Sequence, residues 1–261
     1  SLNQSWMHTD EQDDNELAVS GKMSFLDHLN ELRRRLIVAI AAMGISFVLC
    51  WIFHEPIYDF LSVPITQHLG ANKLTYLSPT EPFSIYMKAS FYAGVFLASP
   101  AILWQVWLFI SPGLYAREKK YALPFLFSSS ILFMLGGVFA YYIALPMTLD
   151  FLTDFGGRFQ AAVTATKYFD FALVVILGSA IIFEIPILIF FLSVLGIVNA
   201  RFLLRNLRYA VLIIFIVAAV ITPTPDIPTL MVFAMPMLLL YMVGVLVAWI
   251  FGKKRLKNED L

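Results

Sequence analysis

The chain has 261 residues, 60% of them hydrophobic and 14% charged, with 24 Phe, 11 Tyr and 5 Trp and a formal net charge of zero. A water-soluble domain carries closer to a quarter charged residues, so this composition excludes an ordinary globular protein and fits a chain immersed in lipid. One cysteine, Cys50, excludes an internal disulfide and any multi-cysteine metal centre; set in an apolar run, it reads as a small buried hydrophobe.

Residues 1–22 are polar and acidic (Asp10, Glu11, Asp13, Asp14, Glu16), the reverse of the basic segment and apolar core of a cleavable signal peptide. They read as a disordered cytoplasmic tail. The segment Ser24 to Leu36 follows, with Phe25, Leu29, Leu32 and Leu36 on one helical face and Asp27, His28, Glu31, Arg34 and Arg35 away from it. That pattern predicts an amphipathic helix on the membrane surface, leading into the first span. Apolar runs at 36–54, 82–110, 121–143, 170–195, 207–221 and 229–251 predict an all-α polytopic membrane protein with six transmembrane helices. The second is over-long and must project or bend, with Pro100 in its interior as the place for a kink. The fifth is short, rising about 23 Å as a helix. The domain reading is a tail at 1–22, a six-helix membrane unit at 23–251 and a basic cytoplasmic tail at 252–261.

Orientation follows from Lys and Arg. Of the 18 such residues, 14 fall in one set of loops and tails, and only Lys73, Lys88, Arg158 and Lys167 fall in the other. The bias alternates correctly with six spans and predicts both termini in the cytoplasm. On the outer side, 55–81 and 144–169 are sizeable connections, while 222–228 is a proline-stiffened turn. Ser78 and Glu81, flanking Pro79, read as a capping box that starts helix two outside the membrane and keeps Lys88 near the outer interface.

Three acids break the local pattern. Glu31 lies among Arg33, Arg34 and Arg35, and Glu118 among Arg117, Lys119 and Lys120. Each has a plain reading as a surface ion pair worth a few tenths of a kcal/mol. Together, on one membrane face, they could instead receive a ligand with two guanidinium groups, since each carboxylate can make a planar bidentate contact that lysine cannot copy. Glu184 sits midway along span four with no cation in neighbouring turns. It must face a polar cavity or a partner, or be protonated and bonded to a neighbouring helix. Pro186 frees a carbonyl near 182 and permits a bend at the same depth. The four histidines lack metal-ligand spacing, and no nucleophile elbow, P-loop or dinucleotide fingerprint is present. No enzymatic activity, metal, cofactor or nucleic-acid binding is expected.

The motifs, taken in order, resemble the TatC family. They are His28-Leu-Asn-Glu-Leu-Arg-Arg-Arg-Leu36, Leu77-Ser-Pro-Thr-Glu-Pro-Phe83, the run Ala98 to Phe109, and Pro112-Gly-Leu-Tyr-Ala-Arg-Glu-Lys119. Phe139-Ala-Tyr-Tyr142, Phe183-Glu-Ile-Pro186 and Thr222-Pro-Thr-Pro-Asp226 complete the series, so the resemblance covers about 23–251. It implies a glove-like concave bundle whose last two helices are short, although the sixth run here is long enough to cross. It also implies a bacterial inner-membrane receptor for twin-arginine signal peptides of folded precursors. Such a receptor works with TatA- and TatB-type single-span partners, self-associates and draws on the protonmotive force. Carried over by residue, Glu31 and Glu118 match the arginine-binding carboxylates, with Arg33 and Phe109 beside them. Glu184 matches the polar residue of the concave face, Pro64 an outer-loop proline and Asp226 the acid before helix six. Many family members read Ser-Gln where this chain has Thr229-Leu230, which removes a glutamine from any polar partner contact there. Two other classes stay open: a proton-coupled small-solute transporter using Glu184, and a membrane scaffold without a ligand.

Overall fold

A computed structural model describes residues 5–69, 74–110, 122–156, 163–194, 196–222 and 226–251, with side chains described from His28 onward. Helix α1 runs unbroken from Ser5 to Ile52 and α2 covers His54–Leu69. Next come α3 (Glu81–Ile110), α4 (Ala122–Phe139), a π-helical turn (Ala140–Ala144) and α5 (Leu145–Gly156). The rest is α6 (Ala165–Ile182), α7 (Ile185–Val194), α8 (Ala200–Arg205), α9 (Leu207–Ile221) and α10 (Ile227–Phe251). Five helical segments are long and apolar enough to cross a membrane: His28–Ile52, Glu81–Phe109, Leu126–Asp154, Ala165–Val194 and Ile227–Ile250. Helix α9 is the shorter sixth, its 15 residues rising about 22 Å. The all-α, multi-span architecture follows the hydropathy.

The structure adds to that reading in four places. Helix α1 extends upstream across the acidic stretch from Ser5, where composition predicts an unstructured tail. The outer connection 55–81 contains the helix α2, and the third span continues as α5 well beyond 143. Helix α3 begins at Glu81, so Pro82 rather than Pro79 occupies its first turn. There Glu81 Oε2 accepts from Leu77 N at 3.2 Å and Ser78 Oγ faces Thr80 N at 3.5 Å, a looser cap than the expected reciprocal pair.

Prolines inside helices decide how the segments dock. Pro64 in α2 has no N–H to offer the carbonyl four residues back, Phe60 O. The hydroxyl of Tyr141 in the π turn donates to that carbonyl at 2.6 Å, and the two rings stack at 4.4 Å. One residue on, the buried Tyr168 hydroxyl of α6 donates to Leu61 O at 2.7 Å. Helix α2 is thereby bolted across the end of the bundle opposite the clustered arginines. His68 strengthens the lock, its Nδ1 2.6 Å from Pro64 O and its Nε2 2.7 Å from Asp150 Oδ1 of α5. Lys88 reaches Asp170 at 2.5 Å, and Thr75 exchanges backbone bonds with Val163 O and Ala165 N. In α3, Pro100 similarly frees Phe96 O, to which Ser99 Oγ donates at 2.8 Å; the helix stays continuous.

Small residues bring the spans together. A Cβ added at Gly136 of α4 would lie 2.6 Å from Ser179 O and 2.7 Å from Ala180 Cα of α6. The backbones therefore touch, as membrane helices pack where side chains are minimal. Ser129, Phe133, Gly136 and Ala140 lie buried along that face of α4. Helix α7 ends on Gly196 at φ +76°, with Ile197 N bonded to Leu192 O, a left-handed cap that only glycine makes without strain.

Gly136→Ala should lower the stability of the purified protein by about 1–3 kcal/mol, because two backbones must move apart. Gly44→Ala, whose added Cβ meets nothing within 4 Å, should be neutral or stabilise by up to about 1 kcal/mol. Thermal unfolding in detergent compares the two; equal shifts would contradict the close backbone contact.

Candidate functional site

The arginine-rich end of the bundle is built where α1 meets the last turn of α3. His28 and Phe109 stack with ring centroids 4.5 Å apart and planes inclined by 29°. Glu31 lies three residues beyond His28 and so on the same side of α1. Its Oε1 accepts from Arg35 Nη2 at 3.2 Å, one helical turn on, with both side chains about a quarter to a third exposed (25% for Arg35, 30% for Glu31). Of the three arginines that surround Glu31 in the sequence, Arg35 makes this contact. The second oxygen, Oε2, has no protein partner among the described residues.

Two further polar groups at this end are buried without a partner among the described residues: Arg35 Nε and Gln105 Oε1. Gln105 precedes Phe109 by one turn of α3. A buried donor and a buried acceptor left open beside a half-buried carboxylate form a polar recess that can still take hydrogen bonds. Arg33 and Arg34 point to the exposed side. Glu118 and its cationic neighbours Arg117, Lys119 and Lys120 lie outside the described residues, in the stretch that follows α3. The structure thus stacks His28 on Phe109 about one helical turn before Glu31, and leaves Arg33 exposed on α1.

Glu184 occupies a break between α6 and α7. Its N–H bonds to Ile181 O at 3.1 Å, a tightened turn, and Pro186 two residues on supplies no donor to the Ile182 carbonyl. The carboxyl is turned toward α4, where Ser129 Oγ donates to Oε2 at 2.6 Å. Oε1 is buried and has no protein partner among the described residues. A hydroxyl facing the acid was not foreseen in the sequence. Its signal was present in register: Ser129 lies two turns before Gly136, on the α4 face that meets α6.

The remaining predicted positions have local work. Pro64 is buried and exposes the Phe60 carbonyl taken by Tyr141. Asp226 caps α10, its Oδ1 accepting from Thr229 N at 2.7 Å. Thr229 is 1% exposed and Leu230 packs on the core. The pair that replaces the usual Ser-Gln is therefore directed into the protein.

With this geometry in hand, comparison with known proteins is informative. The sequence matches the family described as Sec-independent protein translocase protein (TatC) over residues 27–236. A Sec-independent protein translocase protein TatC from Koribacter versatilis is 52% identical over 243 residues, covering 91% of this chain and 90% of the relative. One from Helicobacter pylori is 38% identical over 234 residues, 89% of this chain and 90% of the relative. Two crystal structures of the twin-arginine translocase receptor TatC superpose with TM-scores of 0.76 and 0.78 at 37% identity. They cover 85% of this chain and 97% and 99% of theirs. On sequence and fold together, the chain belongs to the TatC family of multi-span membrane translocase proteins.

Proposed function

We propose that the chain is the receptor and core subunit of a twin-arginine translocase, with Glu31 and Glu118 receiving the paired arginines of a precursor's signal peptide. The observation that carries this reading is the state of Glu31. It is fixed by Arg35 through one oxygen, open at the other among the described residues, and lies one turn beyond the His28–Phe109 stack. An incoming guanidinium takes Oε2, the stacked rings offer it a flat apolar wall, and Glu118 takes the second guanidinium. Arg33, exposed next to Glu31, faces the backbone and flanking polar groups of the peptide. The arginine-rich end is cytoplasmic by the positive-inside rule, both termini lie on that side, and the membrane is the bacterial inner membrane.

The apolar part of the signal peptide then enters along the bundle toward Glu184. Glu184 Oε1 is the open acceptor at mid-membrane, and a polar group of a TatA- or TatB-type single-span helix satisfies it there. Burying an unmet carboxyl oxygen against lipid is costly, so such a helix gains a bond that lipid cannot provide. The protonmotive force drives transport; this chain supplies recognition and a docking frame.

Replacing Glu31 and Glu118 together by Ala should abolish binding of an Arg-Arg precursor. Each single change should weaken it by roughly 10-fold or more, the loss of a charged hydrogen-bonded contact of about 1.5–3 kcal/mol. Titration with a labelled signal peptide measures this, and unchanged affinity in the double variant would remove the assignment. Glu184→Ala should leave peptide affinity within about 2-fold while the single-span partners no longer co-purify; that affinity margin corresponds to less than about 0.5 kcal/mol, as for a distant site. Solute-coupled proton flux in liposomes holding this chain alone, lost in Glu184→Gln, would instead favour a transporter.

A further inference from the structure

The short helix α8 and the C-terminal half of α10 border a groove unconnected with Glu31 or Glu184. Its floor and walls are Ala200 and Leu204 of α8 with Leu239, Met242, Leu246 and Trp249 of α10, around a volume of about 520 Å³. The lining is almost entirely apolar. Leu204, Leu239, Leu246 and Trp249 are half or more exposed, Trp249 at 76%. The groove is nonetheless rigid. Asn199 caps α8 by accepting from Phe202 N at 2.8 Å, and the buried Leu203 turns its carbonyl to Tyr241 Oη of α10 at 3.1 Å.

Charge marks one edge of this groove. Arg201 and Arg205 each follow a groove residue, Ala200 and Leu204, and share the adjoining face of α8 at four-residue spacing. Arg208 lies at the start of α9, its guanidinium over the Tyr209 ring at 4.7 Å. All three arginines are exposed, and residues 200–221 contain no Asp or Glu at all. Arg201 and Arg205 form no ion pair among the described residues.

We propose that this groove binds an anionic phospholipid from the leaflet at the arginine-rich end. The guanidiniums of Arg201 and Arg205 hold the phosphate, and one acyl chain lies along Leu239, Met242 and Leu246 beneath Leu204. Three observations select this occupant. The groove opens on segments that cross the membrane, so hydrocarbon is the medium at its mouth. Its polar edge is purely cationic, which complements a phosphodiester and planar guanidinium–phosphate contacts. Its walls are mainly Leu, Val, Met and Trp with Ala200 the one small lining residue, whereas a docked membrane helix needs a stripe of small residues for close backbone approach. Trp249 lies one residue from the end of the apolar segment Ile227–Ile250, the part of a span where indole rings collect near headgroups. The site is independent of the signal-peptide reading and would stand if that reading fell.

Native mass spectrometry of the delipidated full-length protein, titrated with phosphatidylglycerol, phosphatidylcholine or glycerophosphoglycerol, tests the proposal. Phosphatidylglycerol should bind tightest, and Arg201→Gln and Arg205→Gln should each weaken it by roughly 5-fold while weakening phosphatidylcholine, whose phosphate is offset by its choline, by less. Met242→Trp, which fills the groove with both arginines intact, should weaken both lipids and keep the protein testable if the arginine variants misfold. Glycerophosphoglycerol, which has no acyl chain, should not compete. Competition by that headgroup at equal concentration would reduce the site to a simple anion patch and overturn the proposal. Equal binding of phosphatidylglycerol to wild type and the double Gln variant would overturn it as well, as would displacement of the lipid by a single-span partner helix with no change in either Gln variant.

Discussion

A backbone carbonyl buried away from water must find a donor, and one end of this fold is arranged around a carbonyl that a proline leaves open. Pro64 exposes Phe60 O, and the Tyr141 hydroxyl fills it. Because Tyr141 belongs to the π turn of the third span, satisfying one carbonyl fixes the outer helix against the bundle. Tyr168 repeats the arrangement one residue later from α6. Two tyrosines on two spans therefore determine where α2 lies. The ion pairs around them, His68 with Asp150 and Lys88 with Asp170, are partly exposed and contribute less. Neutral hydroxyl-to-carbonyl bonds, shielded from water, are the stronger constraint at that end.

The centre of the molecule is organised differently. Pro186 interrupts α6–α7, and Glu184 occupies the break with its carboxyl bonded to Ser129. Gly136 allows α4 close enough for that serine to reach. A glycine contact, a serine hydroxyl and a proline break thus combine to hold a carboxyl group inside the bundle, with Oε1 unpartnered among the described residues. At the arginine-rich end the logic is electrostatic. Glu31 is held by Arg35 at one oxygen, while Arg35 Nε and Gln105 Oε1 are buried without a partner among the described residues. Both regions keep polar capacity in reserve, which the proposed function assigns to a cationic peptide at one and a membrane helix at the other.

Much of the fold was legible in the sequence because lipid imposes a simple pattern of long apolar runs separated by charge. The count of six, the short α9 and the depth of Glu184 all came from that pattern. The outer helix α2 was not legible: its residues, including Glu55, Asp59 and Pro64, read as a loop by composition. Only the tertiary contacts with Tyr141 and Tyr168 make a helix containing proline worthwhile there. The third span was underestimated for a related reason, since Pro146 suggests an end where a π turn instead lets the helix continue to Gly156. At the candidate site, Glu31 was visible as an acid among arginines. Its companions His28 and Gln105 were not, because stacking and an unmet amide oxygen depend on how α1 crosses α3.

The central claim is that the recess beside Glu31 reads arginine pairs. A photocrosslinking residue at position 109, in the stack with His28, reports directly on that recess. One at position 32, where Leu32 is 42% exposed on the neighbouring face of α1, reports on the surface beside it. The control is the same residue at position 212, on the exposed face of α9. In membranes supplied with a radiolabelled precursor, adducts should form at 32 and 109 with an Arg-Arg signal peptide and disappear with Lys-Lys. Position 212 should give none with either. Equal adducts with both peptides at 32 and 109 would show that the recess does not distinguish guanidinium from ammonium, and would contradict the account.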